Sequence, residues 1–213
     1  MSRGGEAPAG GPLVSGNDLD PRSRRALLDI AIDAIGQRLA TGRGRLPDPE
    51  ALPRPLQDPG ACFVTLERDG RLLGCIGSLE PCRALGVDAA VNALGAAFRD
   101  PRFGPLSASD FEAMDVEVSV LSAPSTLHAD DIRSLAAALR PGVDGVLIDA
   151  PGHRSTFLPA VWAKLPDTRS FLEHLWRKAD LSPFRWPDGM LVQTYTTEVL
   201  TDHGPRALPG PRP

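Results

Sequence analysis

The stretch "ACFVTLERDGRLLGCIGS", residues 61–78, limits the possible folds more than any other part of the chain. Two apolar runs flank Asp69-Gly70, and a glycine there supplies the positive φ that a two-residue hairpin turn requires. Such a turn commits both runs to antiparallel pairing. With Asp69 and Gly70 as the loop, Val64 is expected opposite Cys75. Cys62 is then a diagonal neighbour of Cys75, and diagonal separations of roughly 7–8 Å are too wide for a relaxed disulfide. Gly74 and Gly77 stand on either side of Cys75 in the second run. Glycine weakens a strand, so the pair marks a close approach to the backbone, by a ligand or by a neighbouring element.

The remaining segments settle the fold class. "DPRSRRALLDIAIDAIGQRLATG" reads as a helix capped by Asp20, started by Pro21 and ended at Gly42, with Leu27, Ala31, Ala34 and Ile35 on one apolar face. A proline-rich connection follows. "CRALGVDAAVNALGAAFRD" reads as a second helix with Val87, Val91, Leu94 and Phe98 along one side, and "DVEVSVLSAP" as a strand with Val116, Val118 and Val120 facing one way. Further on come a helix in "DDIRSLAAALRPGVDG", strands in "GVLIDA" and "RSTFLP", a helix over "DTRSFLEHLWRKA" and one last strand, "LVQTYTTEVL". Strands arrive in pairs and helices do not alternate with them regularly. The pattern is α+β: a mostly antiparallel sheet flanked by helices, with a second, smaller lobe. Residues 1–17 and 202–213 are rich in Gly and Pro and are expected to be loose tails around an ordered region of 18–201.

A chain of 213 residues with a net charge of −4 does not suit a protein whose task is gripping phosphates, so nucleic acid is disfavoured as a partner. No run approaches the roughly 20 apolar residues that span a bilayer, and no signal-like leader opens the sequence, which makes the cytoplasm the expected location. Only Lys164 and Lys178 are lysines, and this arginine-rich composition suggests a GC-rich, bacterial genome. Cys62, Cys75 and Cys82 form no CxxC, and the four histidines form no HxxxH, so no metal or cofactor is expected from spacing.

Six stretches taken together, "LLGCIGSLEP", "AFRDPRFGPL", "VEVSVLS", "LRPGVDGVLI", "TFLPAVW" and "YTTEVL", resemble the AMMECR domain family, whose prokaryotic members are called AmmeMemoRadiSam system protein A. The resemblance implies a compact α+β domain with a second lobe. It also implies an association with a Memo-like protein, itself similar to metal-dependent dioxygenases, and with a radical-SAM protein. Two positions depart from the family pattern. Leu73 stands where the hallmark L-R-G-C-I-G has arginine, so a cation there is lacking, and Ser155 stands where glycine is common.

Cys75 is the candidate nucleophile or redox thiol, and a thiol in that role needs a nearby cation, helix N-terminus or base. Glu80 is a weaker candidate base. Gly74, Ile76, Gly77 and Ser78 are expected to line a functional cleft open to a small-molecule ligand or a partner. Arg99 and Arg102, with Asp100 between them, can hold a carboxylate or phosphate, although a turn fixed by Asp100 explains that acid as well. Glu117 lies on the polar face of its strand, and if that face is covered Arg99 or Arg102 is its expected partner. Ser155 beside His153 lacks the surroundings of a nucleophile elbow. The leading expectation is an accessory, partner-binding component acting through the LLGCIGSLEP segment. The alternative is an enzyme using Cys75.

Overall fold

The computed structural model describes residues 19–209; the expected tail over 1–17 lies outside them. In chain order the elements are α1 (Pro21–Thr41), α2 (Arg54–Gln57), β1 (Pro59–Gly60), β2 (Cys62–Arg68), β3 (Arg71–Gly77), β4 (Arg83–Ala84), α3 (Leu85–Phe98), α4 (Ala108–Ala113), β5 (Asp115–Leu121), β6 (Ser125–Thr126), α5 (Ile132–Ala138), β7 (Gly145–Ala150), β8 (His153–Phe157), α6 (Thr168–Lys178), β9 (Leu191–Tyr195) and β10 (Thr197–Asp202). They form two compact units, one holding the residues up to Leu121 and from Glu198 onward, the other Ser122–Thr197. The fold class is α+β, as expected.

The first unit is built on a four-stranded sheet in the order β10-β5-β2-β3. Val64, Leu66, Val116, Val118 and Val120 are fully buried on one face, where Leu27, Ala31 and Ile35 of α1 and Ala89, Ala93 and Ala96 of α3 complete the core. Asp20 caps α1 by accepting from the amides of Arg22 and Ser23, and Gly42 ends it at a φ of 74°. In α3 the side carrying Val87, Val91, Leu94 and Phe98 is only half-buried. The deepest side is the alanine face together with Asp88 and Asn92, because the sheet approaches too closely for larger side chains.

The hairpin turns at Asp69 and Gly70, both at positive φ, with Arg68 opposite Arg71. Cys75 nevertheless pairs with Thr65 rather than Val64. A β-bulge is the reason: Leu66 faces Gly74 and Glu67 faces Leu72, which leaves Leu73 as the extra residue and shifts all later pairs by one.

The expected last strand is two strands. β9 joins the second unit's sheet, whose order is β6-β9-β7-β8, and β10 joins the first unit's sheet. Thr196 between them bonds Ser122 twice, its amide to the hydroxyl and its carbonyl from the Ser122 amide. The second unit packs Phe171, Leu172, Leu175 and Trp176 of α6 against Val146, Ile148 and Val192. Trp162 stacks on Phe171 with centroids 3.7 Å apart.

Residues 202–209, expected to be loose, are fastened to the first unit. The Arg206 amide donates to Glu112 O, its guanidinium bonds Asp202 and the Phe111 and Met114 carbonyls, and Leu208 packs on the core. Buried arginine contacts and one leucine outweigh the loosening effect of the prolines. Residues 210–213 lie outside the described part.

Candidate functional site

β3 is an edge strand, so every second residue turns an amide and a carbonyl away from β2. At Cys75 both groups are met by side chains. The amide donates to Asp100 Oδ2 at 2.9 Å, and the carbonyl accepts from Arg102 Nη2 at 3.0 Å. Asp100 and Arg102 therefore replace the acceptor and donor of a neighbouring strand. They are bound to each other as well: Arg102 Nε donates to Oδ1 at 2.9 Å and Nη2 to Oδ2 at 2.7 Å. The Arg102 amide closes a turn onto Oδ1 at 3.1 Å, as an aspartate before proline favours. Asp100 is 4% exposed. The Arg102 guanidinium, with the Cys75 and Arg102 amides, holds its carboxyl far below the ordinary carboxylate range despite burial.

Because the Cys75 amide and carbonyl point outward, Thr65 and Cys75 are a non-hydrogen-bonded pair, the closer of the two antiparallel arrangements for side chains. Thr65 Oγ1 lies 3.4 Å from Cys75 Sγ as a donor. Thr65 also faces Glu117 on β5, so Cys75, Thr65 and Glu117 form one row on the sheet face opposite the helices. Two strand spacings put Glu117 about 10 Å from Cys75. That exceeds the reach of a base working directly on the thiol. Glu117 accepts from Ser119 Oγ at 3.1 Å instead of pairing with an arginine, since Arg102 is held by Asp100 and Arg99 donates to Val91 O at 3.4 Å.

The glycines beside Cys75 are filled from within. A Cβ on Gly74 would overlap the Ala96 carbonyl oxygen of α3, and one on Gly77 would run into the Phe63 ring. The close approach marked in the sequence is thus helix and aromatic ring. Ile76 lies on the core face, against Gly95. Glu80 is exposed in the turn after β3, where its carbonyl accepts from the Cys82 amide, and it is outside the row of Cys75.

Ser78 belongs to a second, buried cluster that the sequence reading missed. Asp88, fully buried, accepts from the Cys62 amide at 3.0 Å, Ser78 Oγ at 2.8 Å, Asn92 Nδ2 at 2.9 Å and the half-exposed Arg83 Nε at 3.1 Å. Asn92 also donates to Cys62 O at 3.0 Å. Asp88 and Asn92 are four apart on α3 and interrupt an alanine-rich run, which is the signal that could have revealed them. Burial, with the Asp88 charge beside it, pushes the Cys62 thiol well above its usual range. The cluster ties the start of β2 and the end of β3 to the first turns of α3, and it leaves Cys62 inert as a nucleophile. In the second unit, His153 Nδ1 contacts Ala179 O at 2.8 Å and Ser155 Oγ donates to Leu175 O at 2.9 Å, so both side chains anchor α6. Among the described residues no group of three or more His, Cys, Asp or Glu side chains could hold a metal ion, and no helix is long and apolar enough to cross a membrane.

A two-unit α+β chain, with one edge strand clamped by an Asp-Pro-Arg turn and a polar row on the sheet face opposite the helices, is the class these features define. The chain belongs to the AMMECR1 family, whose model matches residues 28–200. It is 38% identical over 162 residues to a protein of Methanothermobacter thermautotrophicus, covering 75% of this chain and 83% of that one. It is 30% identical to protein MJ0810 of Methanocaldococcus jannaschii, covering 74% and 80%. The crystal structure of the uncharacterized protein PH0010 from Pyrococcus horikoshii superposes with a TM-score of 0.79 at 28% identity, covering 89% of this chain and 96% of that one. These relatives are archaeal, so the bacterial origin expected from composition gains no support from them.

Proposed function

We propose that this chain is an accessory, partner-binding component that acts with a Memo-like and a radical-SAM protein. Its docking face would be the polar row of Thr65, Cys75 and Glu117. One observation carries the reading: Gly74, Gly77 and the main chain of Cys75 are all occupied by the protein's own groups. A nucleophile in a substrate site needs open space beside it. Here the strand is held rigid and presents side chains outward, which suits recognition of another surface. The LLGCIGSLEP segment then acts through shape, and Arg99 and Arg102 stabilise the strand and turn rather than hold an anion.

The test is capture of each purified candidate partner by the tagged chain. Wild type and Cys75→Ala are expected to retain it equally, and Thr65→Arg to lose at least tenfold in affinity. Equal binding by Thr65→Arg removes the face from the interface, and absence of capture by wild type removes the proposal. A second reading, with Cys75 as nucleophile or redox thiol, is favoured by Arg102, which brings a cation to Cys75 from outside the strand. Asp100 already neutralises that cation through two hydrogen bonds. Loss of a measurable turnover in a folded Cys75→Ser variant would establish this second reading.

A further inference from the structure

α3 carries no charged or polar side chain on its outer side. Its polar residues, Asp88 and Asn92, are both buried, and all its others are apolar or glycine. A helix that is apolar all round belongs in an interior. Helical periodicity nevertheless sets Val87, Val91, Leu94 and Phe98 opposite the alanine face that packs on the sheet, and all four stay partly exposed.

Arginines border the far end of this stripe. α1 runs beside α3, with Ile30 against Gly86 near the start and the Arg38 guanidinium over Phe98 at the end, its Cζ 5.1 Å from the ring centroid. Past α1 the chain crosses onto Leu94, where a Cβ on Gly44 would stand 2.9 Å from Cδ1. Arg43 and Arg45 flank that glycine and are exposed. None of these three arginines forms an ion pair among the described residues. Arg38 complements the dipole of α1 from its last turn, an effect that does not extend to residues beyond Gly42. Three cations without acids, beside an apolar stripe, form a surface complementary to a group that is both anionic and apolar.

We propose that the outer face of α3 is a docking site for an acidic amphipathic helix of a partner protein. Its apolar side chains lie on Val91 and Leu94, and its carboxylates reach Arg38, Arg43 and Arg45. Recognition of this kind sets apolar anchors along one helix face and charges at the rim. A nucleic acid would use the cations and leave the aliphatic side chains idle, since its bases stack on aromatic rings. The surface lies on the helix side of the sheet, away from the row of Thr65, Cys75 and Glu117, and is independent of any docking there.

The experiment uses the full chain and a fluorescent helical peptide with leucines at i, i+3, i+4 and i+7 and glutamates on its flanks. Its control carries lysines in place of the glutamates. Fluorescence anisotropy should show saturable binding of the acidic peptide, roughly tenfold or more tighter than the control and weakening as salt is added. The exposed double variant Arg43→Glu/Arg45→Glu should lose roughly tenfold or more in affinity for the acidic peptide and gain affinity for the control. Val91→Gln should weaken both peptides, which separates the apolar anchor from the charges; the arginine variant carries the test if Val91→Gln does not fold. Failure of wild type to bind the acidic peptide, or equal binding by the arginine variant, overturns the docking site. An oligonucleotide or phosphatidylglycerol vesicles binding wild type more tightly than the acidic peptide overturns the acidic helix as its occupant. So does a wild-type dimer by light scattering that Val91→Gln abolishes, which would make a second copy the occupant.

Discussion

Replacing Asp100 by alanine removes the acceptor of the Cys75 amide and both partners of the Arg102 side chain on that carboxylate. The two losses differ in size. Arg102 is 56% exposed and regains water, so its ion pair contributes only about 0–1 kcal/mol. The Cys75 amide is partly buried and is left without an acceptor, at a cost of roughly 1–3 kcal/mol. The sum of about 1–4 kcal/mol falls on the edge of β3. Hydrogen exchange at the Cys75 amide, measured by mass spectrometry on peptides covering 72–78, should then accelerate by about fivefold or more, a tenfold change being worth about 1.4 kcal/mol. Trp162, Trp176 and Trp186 all lie in the second unit and would miss this event. Exchange within about threefold of wild type would refute the clamp. The same carboxylate sets an acid limit. Its folded value lies below the unfolded one, so its stabilisation is complete above the ordinary carboxylate pKa of about 3.9 and is lost as pH falls from there toward the depressed value. Asp100→Asn should remove that part of the acid dependence and leave the slope above pH 5 unchanged.

Gly74→Ala sets a methyl against the Ala96 carbonyl, which belongs to helix backbone, and should cost about 1–3 kcal/mol in urea unfolding followed by far-UV circular dichroism. Gly77→Ala meets the attached end of the Phe63 ring, which must leave its rotamer to clear the methyl, so a loss of similar size is expected there; an unchanged midpoint for either variant would contradict the packing described. Asp88→Ala takes the acceptor from the Cys62 amide, Ser78 Oγ and Asn92 Nδ2 inside the fold, and a loss of about 3 kcal/mol or more is expected by the same assay. Tyr195 is the only tyrosine, and burial pushes it up to about 12. Absorbance titration should show no phenolate near pH 10 in the folded protein. The same shift makes a stabilising contribution that is intact below pH 10 and fades between 10 and 12.

Much of the frame was legible in the sequence, because hydrophobic periodicity and caps act locally. The turn at Asp69-Gly70, the cap at Asp20 and the valine face of β5 all follow from residues within one turn or one strand. The register of Cys75 did not follow, since the turn alone implies Val64 as its partner. Two adjacent leucines at 72 and 73 break the alternation, and the bulge falls there, but only packing against α3 decides which of them is extra. The break at Thr196 was hidden for a similar reason: "LVQTYTTEVL" has one continuous strand propensity, and pairing with two different sheets divides it. At the candidate site, Cys75, Arg102 and Glu117 carried visible chemistry as residue types. Their roles depended on Asp100 and Thr65, which meet Cys75 from positions 25 and 10 residues away. The valine face of α3 does not disclose Asp88 and Asn92, because the tightest contact with the sheet selects alanine and a hydrogen-bonded carboxylate.

On the proposed reading, Cys75 sits on a docking face and acts there through shape. The most direct measurement is the iodoacetamide alkylation rate of Cys75 relative to the exposed Cys82, read by mass spectrometry with and without the Memo-like protein. Alone, Cys75 should react more slowly than Cys82. With the partner present, Cys75 should slow at least fivefold further while Cys82 is unchanged. A Cys75 that outpaces Cys82 and ignores the partner would contradict the docking face and restore the thiol as a reactive centre.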